Sequence, residues 1–167
     1  QLQAKNFVAT AKSILDETGL PGEYLEFEIG ETVIMQNPEF AVNVLTQLRD
    51  MGIHVSIDDF GTGYSSLAHL KRFSVNTLKI DRTFVRDIEL NSTDAAITSA
   101  IISMGNSLNL KVIAEGGETE GQFTMLKEKH CDEMQGYLVS RPVPVEAVGG
   151  LLRDGLAKRD SEVGDKS

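Results

Sequence analysis

Five short runs rich in apolar and β-branched residues recur along the 167-residue chain, at 25–29, 53–58, 77–81, 111–115 and 134–138. Segments of helical length separate them, and strand–helix alternation of this kind specifies a parallel sheet with helical crossovers. A parallel sheet covered on both faces reads as near-continuous apolar strands. These strands alternate instead. Leu25, Phe27 and Ile29 oppose Glu26 and Glu28; Ile53, Val55 and Ile57 oppose His54, Ser56 and Asp58. Leu78 and Ile80 oppose Thr77, Lys79 and Asp81; Val112 and Ala114 oppose Lys111, Ile113 and Glu115; Gln135 and Tyr137 oppose Met134 and Leu138. One face is therefore polar, with its charges gathered toward the C-terminal ends. In a (β/α) barrel the apolar face meets the helices, the polar face points inward, and functional groups collect at those ends. An open sheet with one solvated face is the competing arrangement, and helical connections argue against it because they normally cover a parallel sheet. The expected fold is α/β, a partial TIM-like barrel.

Helices are expected over residues 5–18, 38–51, 65–71, 93–108, 120–129 and 145–156. The clearest stripe is Ile97, Ala100, Ile101, Met104 and Leu108, with Ser92 or Thr93 as its cap. Residues 1–154 read as one domain and 155–167 as a polar, flexible tail. With 41% hydrophobic and 25% charged residues the composition is that of a globular domain. No run approaches the about 18 apolar residues of a membrane span, and no signal peptide opens the chain. A single cysteine, Cys131, excludes an internal disulfide and fits a reducing, cytoplasmic setting. The net charge of −9 argues against a duplex nucleic-acid partner.

The strand ends bring together Glu28, Asp58 with Asp59, Lys79 or Asp81, Glu115 and Gln135, with Glu31 and Glu118 just beyond. Converging carboxylates cannot all stay ionised without a cation. An oxygen-rich set suits Mg²⁺, Mn²⁺ or Ca²⁺ better than Zn²⁺. Asp58–Asp59 could serve two cations, which activate water and stabilise phosphoryl oxygens, and which would let so acidic a chain take a phosphate ester. Lys79 either balances the acids or donates to the attacking water or a phosphate oxygen. Glu115 is a ligand, a general base, or both. Gln135 bonds a bound water or satisfies a buried backbone group. The Gly61-Thr62-Gly63-Tyr64-Ser65-Ser66 loop lacks the marks of a phosphate cradle and reads as a tight turn with a serine helix cap.

Asp58-Asp59-Phe60-Gly61-Thr62-Gly63-Tyr64-Ser65-Ser66-Leu67 resembles the signature loop of bacterial EAL domains. Leu78-Lys79-Ile80-Asp81-Arg82-Thr83-Phe84-Val85, Val112-Ile113-Ala114-Glu115-Gly116-Gly117-Glu118-Thr119 and Gln135-Gly136-Tyr137-Leu138-Val139-Ser140-Arg141-Pro142 resemble three further motifs of that family, in the family's order. The resemblance implies a metal-dependent phosphodiesterase that opens cyclic di-GMP to linear pGpG on a modified TIM barrel. It assigns Glu28, Asp58, Asp59 and Glu115 as metal ligands to Mg²⁺ or Mn²⁺ in a two-metal site. Glu115, Lys79 and Gln135 become the catalytic group, Glu31 and Glu118 supporting glutamates, and Asp81, Arg141 and Pro142 substrate contacts. Water attacks one phosphorus in line and the ribose 3′ oxygen leaves. Pairing into a homodimer and upstream sensor domains are further family expectations.

Three departures accompany the match. Gly30 stands where the family usually has Thr, and Gly117 replaces a usual Val, which is expected to remove packing. The Glu-Ala-Leu tripeptide, its nearby Arg and the Asn of an Asn-x-Ser motif are absent. The five strands therefore correspond to the fourth through eighth of the EAL barrel, a complete barrel needing about 200–250 residues. On this reading the chain lacks the N-terminal strands, begins just after the Asn-x-Ser motif, and is weakly active or inactive alone. The alternative is a non-catalytic module that binds cyclic di-GMP or a protein partner.

Overall fold

The structure, a computed structural model, describes residues 1–2, 4, 6–63 and 67–153. Its elements run α1 (Phe7–Thr18), β1 (Glu26–Gly30), α2 (Glu31–Gln36), α3 (Pro38–Asp50), β2 (His54–Phe60), α4 (Leu67–Leu70), β3 (Thr77–Ile80), α5 (Arg82–Arg86), α6 (Ser92–Ser107), β4 (Lys111–Glu115), α7 (Glu120–Glu128) and β5 (Glu133–Gln135). A last helix, α8, covers 145–153. The five strands form one sheet in chain order, each parallel to its neighbour. Parallel neighbours cannot be joined by hairpins, and the helices supply the crossovers.

Each strand buries the apolar half of its alternation against those helices. Val55, Ile57, Leu78, Ile80, Val112 and Ala114 form one core with Val44, Leu45 and Leu48 of α3, Ile101 and Ile102 of α6 and Leu126 of α7. Asn37 starts α3 by accepting the Phe40 N–H at 3.2 Å, with Pro38 in the first turn, where its missing N–H costs nothing. The opposite sheet face carries Glu28, Ser56, Asp58, Lys79, Glu115 and Gln135.

Several boundaries differ from expectation, each for a physical reason. Asn91, not Ser92 or Thr93, caps α6, its side chain accepting from the N–H groups of Thr93 and Asp94. The buried face of α6 is Thr98, Ile101, Ile102 and Gly105, and Ala100 is exposed. That rotation lets Gly105 lie against Val112 of β4, where any Cβ would clash. Run 134–138 stops being a strand at Gln135. Gly136 sits directly on the Gly117 backbone, and the chain turns there, with Val139 N–H bonded to the Gly136 carbonyl at 3.0 Å. α2 and α5, which follow β1 and β3 directly, span six and five residues, too few to show a helical period. The tail 155–167, Lys5 and the predicted cap at Ser65 or Ser66 lie outside the described residues.

Gly117 does not leave a gap. A Cβ there would collide with Met134 Sδ and Cγ, so the methionine side chain fills the volume of a larger residue at 117. Gly117→Val should therefore destabilise the protein by about 1–3 kcal/mol through overpacking. Met134→Val added to it should recover most of that loss in urea denaturation; additive losses in the double variant would contradict the exchange of volume.

Candidate active site at the carboxyl ends of the strands

Lys79 occupies the centre of the polar face on β3. Its side chain is 5% exposed, and its ammonium lies 2.6 Å from Glu115 Oε1, 2.7 Å from Glu28 Oε1 and 3.5 Å from Asp58 Oδ1. Those acids come from β4, β1 and β2, so one cation ties four strands. Burial alone would lower the lysine pKa, but the hydrogen bonds it donates to Glu115 and Glu28 outweigh that and hold the pKa above its ordinary value. The lysine is charged throughout the neutral range.

Regular alternation would send Asp58 and Asp59 to opposite faces of β2. The β2–β3 register slips between Ile57 and Phe60, and Asp59 takes a left-handed φ of 54°. A bulge of this kind re-aims a side chain, and Asp is among the few residues that tolerate that φ. The result is a cluster in which carboxylate oxygens of Asp58, Asp59 and Glu115 all lie within 4.8 Å of one another. Glu28 stands outside that cluster, on Lys79. Burial first, then the hydrogen bond with Asp81 and the charges of Asp58, Asp81 and Glu115, push the Asp59 carboxyl above the ordinary aspartate range. Burial would raise Asp81 too, but hydrogen bonds from the Thr83 hydroxyl and N–H, the Asp59 carboxyl and the Arg82 charge pull it below. Asp81 caps α5 through Thr83 and faces Asp59.

The fit to a divalent cation follows from these atoms. Three hard oxygen donors converge, one of them, Asp59, is destabilised as an anion, and buried Asp58 Oδ1 has no hydrogen-bond partner. A cation would satisfy all three conditions, and an all-oxygen set selects Mg²⁺, Mn²⁺ or Ca²⁺.

Glu31 is buried at the start of α2, and its Oε2 accepts from the N–H groups of Gly61 (2.9 Å) and Gly63 (3.2 Å). A Cβ at Gly63 would fall 2.8 Å from the Glu31 carboxylate, so only glycine admits this grip on the loop after Asp59. Residues 64–66 of that loop lie outside the described residues. On the other side, Glu115, Glu118, Gln135 and Gly136 line a cavity of about 230 Å³ together with Arg82, Gly116 and Tyr137. Gln135 pairs with Glu115 in the sheet. The Arg141 guanidinium lies 4.3 Å over the Tyr137 ring, outside the cavity lining, and Pro142 is exposed beside it.

Sequence reasoning missed Arg82, Tyr137 and Gln122. Gln122 is buried; its Oε1 accepts from Glu118 N–H (2.6 Å) and Thr119 N–H (2.9 Å), and its Nε2 donates to the Arg86 carbonyl (2.9 Å). It ties the loop after Glu115 to α5. The Thr119-x-x-Gln122 capping box was the sequence signal for it.

Three comparisons place this geometry. The family model described as EAL domain matches residues 1–142. Cyclic di-GMP phosphodiesterase NbdA of Pseudomonas aeruginosa is 45% identical over 148 residues, 89% of this chain and 19% of that protein. The solved PaMucR phosphodiesterase in complex with c-di-GMP superposes with a TM-score of 0.86 at 42% identity, over 88% of this chain and 60% of that one. The manganese/cy-diGMP complex of Klebsiella pneumoniae BlrP1 gives a TM-score of 0.76 at 34% identity, over 84% of this chain and 36% of that one. The chain spans about a fifth of the length of such curated relatives. The five-strand sheet and its helices match the TIM-like barrels of EAL domains.

The raised Asp59 carboxyl has a sign that stability measurements read. A folded-state pKa above the unfolded value of about 3.8 means that stability is lost as pH rises through the folded pKa. Asp59→Asn, which tolerates the same φ, should raise the melting temperature of the metal-free protein by a few degrees at pH 7.5. The gain should vanish below about pH 3.8, where both forms are neutral. Saturating Mn²⁺ should reverse the order, because the amide loses an anionic donor. A variant less stable than wild type at pH 7.5 without metal would contradict the cluster.

Proposed function

Because the chain belongs to the EAL domain family, we propose that it carries the metal- and water-handling part of a cyclic di-GMP phosphodiesterase that yields pGpG. The observation that carries this reading is the meeting of Asp58, Asp59 and Glu115 oxygens within 4.8 Å, beside Lys79. Asp58, Asp59, Glu115 and Glu28 would hold Mg²⁺ or Mn²⁺, two ions in the complete domain. Such ions supply Lewis-acid stabilisation of charge on phosphoryl oxygens and lower the pKa of water.

The chain's own residues do the remainder. Glu115, bonded to Lys79, takes the proton of the attacking water. Lys79, fixed by carboxylates on three sides, orients Glu115 and screens the repulsion among the acids. Gln135, beside Glu115 at the mouth of the cavity, offers an amide to water or phosphate oxygen. Glu31 holds the loop that follows Asp59, and Glu118 extends the wall on the β4 side. Asp81 acts through Asp59, and Arg141 through Tyr137, at the rim where Pro142 lies. In this reading residues 1–154 supply strands four to eight of the barrel, and the parent protein supplies the rest and its sensor domains. A cytoplasmic setting is part of this reading; among the described residues no helix is long and apolar enough to cross a membrane.

A non-catalytic binding module is favoured by one feature, Gly30, which pairs with Asp58 and whose Cβ position is open space. The full-length protein incubated with cyclic di-GMP and Mn²⁺ or Mg²⁺ should release pGpG on nucleotide separation. Asp58→Ala or Glu115→Ala should lower turnover at least about 100-fold. Cyclic di-GMP binding without turnover by the wild type would favour the module, and near-wild-type turnover in either variant would contradict the assigned roles. The 167-residue chain alone should give little or no pGpG.

A further inference from the structure

The Lys79 ammonium is held by Glu28 and Glu115 at 2.7 and 2.6 Å, with the Asp58 carboxylate at 3.5 Å, so its charge is committed to the acids. Arg49, Arg72 and Arg86 are likewise paired, with Asp50, Glu39 and Asp87. Arg82 is different. It opens α5 directly after Asp81 and lines the cavity that holds Glu115, Gln135 and Tyr137, yet among the described residues it makes no ion pair. Arg82 is exposed, but the start of its side chain packs on the Gly116 backbone. Gly116, at φ 76°, lies so close that a Cβ there would come 2.7 Å from Arg82 Cβ. The loop that fixes Gly116 is in turn tied to α5 by Gln122 through the Arg86 carbonyl.

We propose that Arg82 is the phosphate-binding residue of this cavity, taking the phosphate of the cyclic dinucleotide that the Asp58–Asp59–Glu115 cluster does not hold. The proposal rests on the reading that the site takes cyclic di-GMP. A cyclic dinucleotide carries two phosphodiesters. The cluster accommodates one through a cation, whereas Glu115 and Glu118 repel the other unless a donor faces it. A guanidinium presents a planar fork of donors that matches two phosphate oxygens at once, and a lysine only a point charge. Arg82 is the cationic residue among those that line that cavity, and it makes no ion pair among the described residues.

The test is calorimetric titration of the full-length protein with cyclic di-GMP in Ca²⁺, for wild type, Arg82→Lys and Arg82→Gln, beside titration with Mn²⁺ alone. Arg82→Gln should weaken nucleotide binding about tenfold and make it less sensitive to salt, the loss of one charge-assisted contact. Arg82→Lys should restore part of the affinity, and Mn²⁺ binding should not change. Nucleotide affinity within twofold of wild type in Arg82→Gln would overturn the proposal, as would a parallel loss of Mn²⁺ affinity, which would mean that Arg82 acts on the metal cluster instead. A wild type that binds no cyclic di-GMP would sink the functional reading itself, and this inference with it.

Discussion

A buried ammonium among carboxylates is the interaction on which the site depends. Lys79 reaches Glu28, Asp58 and Glu115 from the middle strand of the sheet. Lys79 is the buried member, whereas Glu28, Asp58 and Glu115 keep 54%, 29% and 20% of their side-chain surface, so water shares in solvating the acids and losing one costs less than the ~3–5 kcal/mol of a fully buried pair. Lys79 therefore allows acids from separate strands to share one end of the sheet. It does not neutralise them. Asp59 and Asp81 add further negative charge, and the strain appears as a raised Asp59 carboxyl. The fold thus tolerates an electrostatic deficit that a divalent cation would relieve, a stability cost typical of sites built for function.

Backbone irregularities, more than regular structure, aim the groups. The register slip in β2 and the left-handed φ of Asp59 bring two adjacent aspartates to one place. Glu31 then holds the outgoing loop by two N–H groups, and Gln122 performs the matching task for the loop after Glu115. Both clamps use buried side chains that accept paired backbone donors, so each loop is fixed to a helix rather than left to solvent. The cavity on the β4 side is lined by Glu115 of the acid cluster and by Glu118, Gln135, Arg82 and Tyr137.

Much of this was legible in the sequence. The alternation in the strands disclosed the polar face, and the crossovers disclosed the parallel sheet, because both follow from local periodicity. The convergence of strand-end acids followed from topology. What stayed hidden depended on tertiary packing. Alternation assigns Asp58 and Asp59 to opposite faces, and no local rule signals the slip that unites them. Tyr137 reads as a strand residue until Gly136 is seen against Gly117. The exchange of volume between Gly117 and Met134 needs two loops in contact. Arg82 looks like any charged residue at a helix start; what sets it apart is its place on the cavity lining while acids engage Lys79, Arg49, Arg72 and Arg86.

Asp58, Asp59 and Glu115 stand or fall together as a divalent-cation site, and electron paramagnetic resonance of Mn²⁺ titrated into the protein decides it. Specific Mn²⁺ binding should weaken at least about tenfold in Asp58→Asn and Glu115→Gln, the loss expected of a ligand, while Glu39→Gln on the surface matches wild type. Equal Mn²⁺ binding in all four proteins would contradict it.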